Sequence, residues 1–302
     1  MRFIYLLLLL SFSSSLNAQS DTIRIEKMNS GHFSARVLLQ KSIDTRIMLE
    51  SGIPFPILDS TFVSGNKKKI NINIIPGNIS MNLSGKKVRC YHQTTDTLFI
   101  NGQIHTDTTL IANLSRTDID MLYPIQSFIN PIDSSRIIEL DISGSFMRYM
   151  SHNELSQVKE QYKTFNMQNE DYGRMYSFET LLSVTDTMGK ISKLKARFIP
   201  DLGNPMFLAL FENHPDVKDF IQATSIKLQQ GYNKAGKPMP LKVMPVIECA
   251  FDNDEKFSDV VFITTSTYSN LKSDGFLGLD FLRRFNVIFD FGDKKIYLKR
   301  IN

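Results

Sequence analysis

Short runs with the period-two spacing of strands dominate the chain, as in Ala35-Arg36-Val37-Leu38-Leu39, Ile70-Asn71-Ile72-Asn73-Ile74, Thr97-Leu98-Phe99-Ile100 and Val260-Val261-Phe262-Ile263, each bounded by turn residues. This pattern predicts an all-β-dominated protein. One segment departs from it. Ser151 and Glu154 have the spacing of a capping box, and Leu155, Val158 and Tyr162 follow at helical intervals, predicting a helix with one docking face. The polar stretch 166–171 comes next, almost midway along the chain. The expected organisation is therefore a first lobe over 19–150, a linker helix over 151–172 and a second lobe over 173–302.

Comparing the two sides of that boundary exposes an internal echo. Phe33-Ser34-Ala35-Arg36-Val37-Leu38-Leu39, a turn near Lys41-Ser42, and Thr45-Arg46-Ile47-Met48-Leu49-Glu50-Ser51-Gly52-Ile53-Pro54 form one hairpin pattern. Its counterpart is Phe178-Glu179-Thr180-Leu181-Leu182-Ser183-Val184, a turn at Met188-Gly189-Lys190, and Ala196-Arg197-Phe198-Ile199-Pro200-Asp201-Leu202-Gly203-Asn204-Pro205. Both hairpins end in carboxylate-x-Gly-x-Pro. Two further blocks follow in the same order: Val88-Arg89-Cys90 against Ile247-Glu248-Cys249, and Ile137-Ile138-Glu139-Leu140-Asp141-Ile142 against Phe276-Leu277-Gly278-Leu279-Asp280-Phe281. A duplicated domain accounts for matched blocks separated by loop-sized differences in spacing.

Composition narrows the functions available. In 302 residues, 35 Lys and Arg stand against 31 Asp and Glu with the signs interspersed, so no basic face for nucleic acid is expected. The exception, Lys67-Lys68-Lys69, reads as an exposed turn. With 22 Phe, 10 Tyr and no Trp, aromatic mass is directed to core packing. Arg2, the apolar run over residues 3–10 and the small-residue stretch ending at Ala18 have the layout of a secretory signal, so an exported protein is expected. That run is shorter than the roughly 20 residues a membrane-spanning helix needs, and no later run approaches this length. Cys90 and Cys249 are the only cysteines. A long-range disulfide and two separate buried thiols are both open. His32, His92, His105, His152 and His214 lack metal-ligand spacing and are expected at the surface. Neither a P-loop, a dinucleotide fingerprint nor a Gly-x-Ser-x-Gly elbow is present.

The repeated carboxylate turns resemble those of the aspartic peptidases, pepsin-like and retropepsin-like. In that family each lobe ends a strand with two hydrophobic residues, Asp, Thr or Ser, and Gly, and later carries a hydrophobic-hydrophobic-Gly segment. Met48-Leu49-Glu50-Ser51-Gly52 and Ile199-Pro200-Asp201-Leu202-Gly203 fall on the first element, and Phe276-Leu277-Gly278 on the second. The strand-like run over 285–291 resembles the one that follows in bacterial retropepsin-like domains.

The resemblance implies a two-lobed β-barrel fold with a pseudo-two-fold axis. It implies Glu50 and Asp201 as a catalytic pair around a water, with Ser51, Gly52, Gly203 and Gly278 supporting the turns. Two carboxyls at such range cannot both ionise, so they share a proton. The implied substrate or ligand is a peptide or protein, no cofactor or metal is needed, and two lobes in one chain let a monomer suffice. Three departures accompany the resemblance. Glu50 replaces Asp, Leu202 replaces the hydroxyl residue, and Glu139 falls opposite Gly278 in the aligned blocks. They leave a second expectation, a non-catalytic pseudo-protease whose interlobe cleft binds an extended peptide or a partner's strand.

Overall fold

In a computed structural model the described residues are 22–301 apart from 41, 72, 84–85, 95–96, 101–102, 107, 130–133, 171–173, 225, 233–236, 253–256 and 266–270. The expected secretory signal lies outside them. Strands follow one another from the start: β1 (Thr22–Arg24), β2 (Glu26–Lys27), β3 (Phe33–Leu39), β4 (Ile43–Glu50) and β5 (Ile57–Asp59), then helix α1 (Ser60–Gly65). Next come β6 (Ile75–Leu83), β7 (Lys86–Thr94), β8 (Thr97–Ile100), β9 (Gln103–Thr106), β10 (Thr109–Ala112) and β11 (Met121–Pro124). A 3-10 turn (Ile125–Ser127) leads to β12 (Ile137–Asp141), β13 (Phe146–Met150) and helix α2 (His152–Val158). The chain continues through β14 (Lys163–Asn169), β15 (Tyr176–Thr185), β16 (Ile191–Pro200), β17 (Leu208–Phe211) and helix α3 (Pro215–Thr224). It closes with β18 (Gln229–Tyr232), β19 (Pro238–Phe251), β20 (Ser258–Thr264), β21 (Gly275–Leu277), helix α4 (Leu279–Leu282), β22 (Phe285–Asp290) and β23 (Lys295–Arg300).

The all-β-dominated expectation holds. One sheet runs β6-β7-β10-β5-β11-β4-β3-β8-β9. The other runs β1-β13-β12-β22-β23-β14-β15-β16-β21-β17-β20-β19-β18. Pairing of β15 with β19, from Leu182 opposite Phe251 to Thr185 opposite Glu248, closes β15-β16-β21-β17-β20-β19 into a six-strand barrel. Phenylalanines pack the core it joins: the Phe207 and Phe251 rings lie 5.7 and 5.0 Å from Phe281, each edge-on, the arrangement the ring quadrupole favours.

Burial along β4 and β16 records how each carboxylate is brought inward. β4 exposes Asp44 and β16 exposes Ile191, Lys193 and Lys195, and the strands then bury Ile47-Met48-Leu49-Glu50 and Phe198-Ile199-Pro200 without interruption. Continuous burial follows from cover on both faces. Each strand end lies beside a short parallel strand, β11 pairing Tyr123 with Leu49 and Pro124 with Glu50, and β21 pairing Phe276 with Ile199 and Leu277 with Pro200. Matching carboxylates lock these registers. Asp120 accepts the Arg46 N–H and Asp274 the Arg197 N–H, both at 2.8 Å, while their own N–H groups donate to the Arg46 and Arg197 carbonyls.

Several local expectations are met. Ser151 and Glu154 cap α2 reciprocally, and Leu155, Val158 and Tyr162 pack against Ile137, Met150, Ile288 and Tyr297. Lys67-Lys68-Lys69 forms an exposed turn. Others need correction. The helix is shorter than the linker expected over 151–172, because 163–169 forms β14, which bridges β23 and β15 through backbone pairing that side-chain polarity does not reveal. Ile70, Asn71, Asn73 and Ile74 are not strand, and Ile72 lies outside the described residues; β6 begins only at Ile75. The alternation there is that of an irregular segment anchored where Asn71 exchanges two hydrogen bonds with the Gln40 side chain. Cys90 on β7 and Cys249 on β19 are free, buried thiols in different sheets, which burial pushes up to about 11 and about 12. Among the described residues no helix is long and apolar enough to cross a membrane.

Candidate active site

Glu50 is the last residue of β4 and Asp201 the first after β16, and the fold brings these turns face to face. The contacts are reciprocal. A Cβ placed on Gly52 would lie 2.6 Å from Asp201 Oδ1, and one placed on Gly203 would fall inside the Glu50 carboxylate. Each acid therefore packs over the glycine of the opposite turn, where a side chain larger than hydrogen has no room. Gly203 serves both acids, since its N–H donates to Asp201 Oδ1 at 2.9 Å while its bare α-carbon leaves space for Glu50. Glu50 is 5% exposed. Asp201 keeps partial contact with solvent.

Ser51 ties the two turns together. Its hydroxyl donates to the Pro200 carbonyl at 2.7 Å and accepts the Leu202 N–H at 2.9 Å, so one side chain satisfies the backbone on either side of Asp201. Leu202, in the matching position, has no hydroxyl to return this bond. Its side chain is buried in the hydrophobic core instead. Gly278 lies where expected, behind the Asp201 turn. Its N–H donates to the Phe207 carbonyl, the Asp201 N–H donates to the Leu277 carbonyl, and a Cβ at 278 would strike the Met206 and Asn204 carbonyls.

The third departure is corrected by strand pairing. Ile137–Asp141 does not lie beside a carboxylate turn; as β12 it pairs antiparallel with β13 and β22. Pro124 is the residue beside Glu50 on the parallel strand, and Glu139 is elsewhere. Glu139 is half-buried within β12. It accepts from Arg148 Nε at 2.5 Å across the β12–β13 pair, and Arg148 also bridges to Glu154 at 3.0 Å.

Two contributors carry no motif. His32, expected at the surface, is half-buried under the Asp201 turn. Its Nε2 lies 2.9 Å from the Gly203 carbonyl, which can only accept, so that nitrogen carries the proton; Nδ1 lies 2.9 Å from Ser30 Oγ. Burial holds the His32 pKa below its ordinary value, although the Gly203 bond opposes the shift. Arg116 grips Asp118 with two hydrogen bonds of 2.9 and 2.8 Å, and its charge reaches Glu50. These residues come from sites distant in sequence, so no local spacing signals them.

The electrostatics are those of a proton-sharing pair. Glu50 is raised well above the usual carboxylate range, first by burial and then by the charge of Asp201, with Arg116 pulling weakly the other way. Asp201 is raised to about 6 by burial, against the lowering effect of the Gly203 N–H. Two buried carboxyls set against each other resist ionising together, so one stays neutral while its partner is charged. Such a pair can take a proton from a water and give one to a carbonyl oxygen. Among the described residues no cluster of His, Cys, Asp and Glu could hold a metal ion. No protein-family model matches the chain, and comparison with curated proteins gives no match.

Proposed function

We propose that the chain is an exported, two-lobed aspartic-type endopeptidase in which Glu50 and Asp201 activate a water to hydrolyse peptide bonds. The observation that carries this reading is Gly203, which bonds one carboxylate through its N–H and makes room for the other through its missing side chain. Equivalent surroundings support a duplicated fold with lobes over 19–150 and 173–302. Both carboxylate strands run parallel to a short strand, both are pinned by an Asp accepting an Arg N–H, and both short strands pair antiparallel with the strand after the turn. Asp201, raised to about 6, is the base ionised at neutral pH; Glu50, raised by burial and by the Asp201 charge, is the acid that donates to the scissile carbonyl. Activity is then expected above about pH 6 and lost again when Glu50 ionises. His32 and Ser51 are positioning residues, holding the backbone on which Asp201 is mounted.

The missing hydroxyl at Leu202 favours a second reading, a pseudo-protease whose cleft binds an extended peptide without cleaving it. Incubation with a mixed peptide library between about pH 4 and pH 8 separates the two. The enzyme reading requires cleavage abolished by both Asp201→Ala and Glu50→Ala; cleavage that survives both substitutions removes the pair from the mechanism. Saturable peptide binding with no cleavage at any pH, and no gain from Glu50→Asp, establishes the binding module instead.

A further inference from the structure

Two side chains from the first half of the chain hold the turn that carries Asp201. Ser51 grips it at the Pro200 carbonyl and the Leu202 N–H, and His32 grips it one residue further on, at the Gly203 carbonyl. Leu202 has no hydroxyl with which to tie the Glu50 turn in return, so the second hold on this pair of turns comes from His32.

His32 is itself placed by others. Its partner Ser30 lies 3.5 Å from Arg116 Nη2, in the segment between β10 and β11. Arg116 is fixed in turn by its two bonds to Asp118 and by Met48 Sδ, 3.4 Å from Nη1. The chemistry of the two ends decides the direction of every bond between them. A guanidinium only donates, so Ser30 Oγ accepts from Arg116 and keeps its own hydrogen for His32 Nδ1. A carbonyl only accepts, so the proton of the neutral His32 ring is on Nε2 and Nδ1 is the acceptor that the Ser30 hydroxyl requires. Burial, the largest influence, and the Arg116 charge favour that neutral ring, against the Gly203 bond and the Asp118 charge. Bonds aligned head to tail in this way strengthen one another.

The series ends on the residue that serves both carboxylates. Gly203 gives its N–H to Asp201 Oδ1 and its bare α-carbon to Glu50, so the angle at which this one residue is held sets both contacts. We infer that Arg116, Ser30 and His32 form a directional hydrogen-bond series that sets the acidity of Asp201 by fixing Gly203, an inference that rests on the reading of Glu50 and Asp201 as a working pair. All three are positioning residues: Arg116 and Ser30 act through His32, and His32 acts through Gly203.

Carbon-13 NMR titration of the Asp201 carboxyl in the full chain is the test. The Gly203 N–H lowers the Asp201 pKa, so slackening that bond raises the titration midpoint, whereas a purely structural hold would leave it in place. His32→Ala is expected to raise the midpoint by about half a pH unit. Ser30→Ala should raise it by about half as much, because Ser30 is exposed and water replaces part of its bond. Arg116→Lys keeps the positive charge but not the planar fork, and should behave like Ser30→Ala. His32→Gln keeps an N–H for the Gly203 carbonyl and an oxygen for the Ser30 hydroxyl, and should restore the midpoint to within about 0.2 of a pH unit. Nitrogen-15 shifts of the unaltered protein near neutral pH should place the His32 proton on Nε2 alone. The inference is overturned if that proton is on Nδ1, if His32→Ala leaves the Asp201 titration unmoved, or if His32→Gln shifts it as far as alanine does. The ring measurement needs no variant and so applies even if His32→Ala folds poorly. Peptide cleavage is read separately: the expected shifts in a protein that cleaves nothing remove the peptidase reading and keep the series, and cleavage with an unmoved titration does the reverse.

Discussion

Substituting Asp201 by Asn should make the protein more stable at neutral pH while abolishing hydrolysis. Asp201 is raised from an ordinary 3.8 to about 6, chiefly by burial. Between those values the unfolded chain has released this proton and the folded chain retains it. The folded state thus binds more protons, and stability falls as pH rises through the interval. Two units at about 1.4 kcal/mol each set an upper value of about 3 kcal/mol, and the partial solvent contact of Asp201 lowers it to about 2. This stability is present below about pH 4 and lost above about pH 6; Glu50, also raised, contributes a decline of the same sign. Asn has the same shape, keeps an oxygen for the Gly203 N–H and cannot ionise. It also removes the Asp201 charge that raises Glu50. Urea unfolding followed at a series of pH values should show the two proteins converging near pH 4 and the variant ahead by about 2 kcal/mol near pH 7. Parallel profiles, with a difference that changes by less than about 0.5 kcal/mol over that range, would refute the reasoning.

The remaining predictions concern the scaffold around the pair. Ser51→Ala leaves the Pro200 carbonyl and Leu202 N–H unpaired in a buried site, and should cost about 2–4 kcal/mol in urea unfolding at every pH. Gly203→Ala forces a methyl into the Glu50 carboxylate and should destabilise by more than about 2 kcal/mol; combined with Glu50→Ala, the loss should fall short of additive by about 1 kcal/mol or more. Glu139→Gln weakens the bond to Arg148 across β12 and β13, and should lower stability by about 1 kcal/mol with no change in peptide cleavage.

The hairpins β3–β4 and β15–β16 were legible because their signal is local: an alternating run, a turn, a second run and then carboxylate-x-Gly-x-Pro. Ser51, Gly52 and Gly203 were legible for the same reason, since each adjoins a carboxylate in the chain. Pairing between distant segments was not. Ile137-Ile138-Glu139 and Phe276-Leu277-Gly278 share an apolar pattern, but the first lies between β13 and β22 and the second beside β16. The segment that does lie beside β4 ends in Pro124, which shares no residue identity with Gly278. Partner strands, rather than residue type, decide such matches. His32 was missed because its role depends on a carbonyl 171 positions away, exposed only when two turns meet.

The antiparallel ladder between β12 and β22, running from Ile137 opposite Asp290 to Asp141 opposite Asn286, joins early and late parts of the chain through main-chain bonds. Opening such a joint means breaking several backbone hydrogen bonds together, so the early and late strands it joins resist separating during thermal motion. It also dictates what becomes of a truncated chain. A fragment ending near residue 150 would leave β12 as a bare edge, its apolar residues and free amides seeking a replacement for β22. Another copy of the fragment presents the same edge, and self-association through that strand is the expected fate of half the molecule.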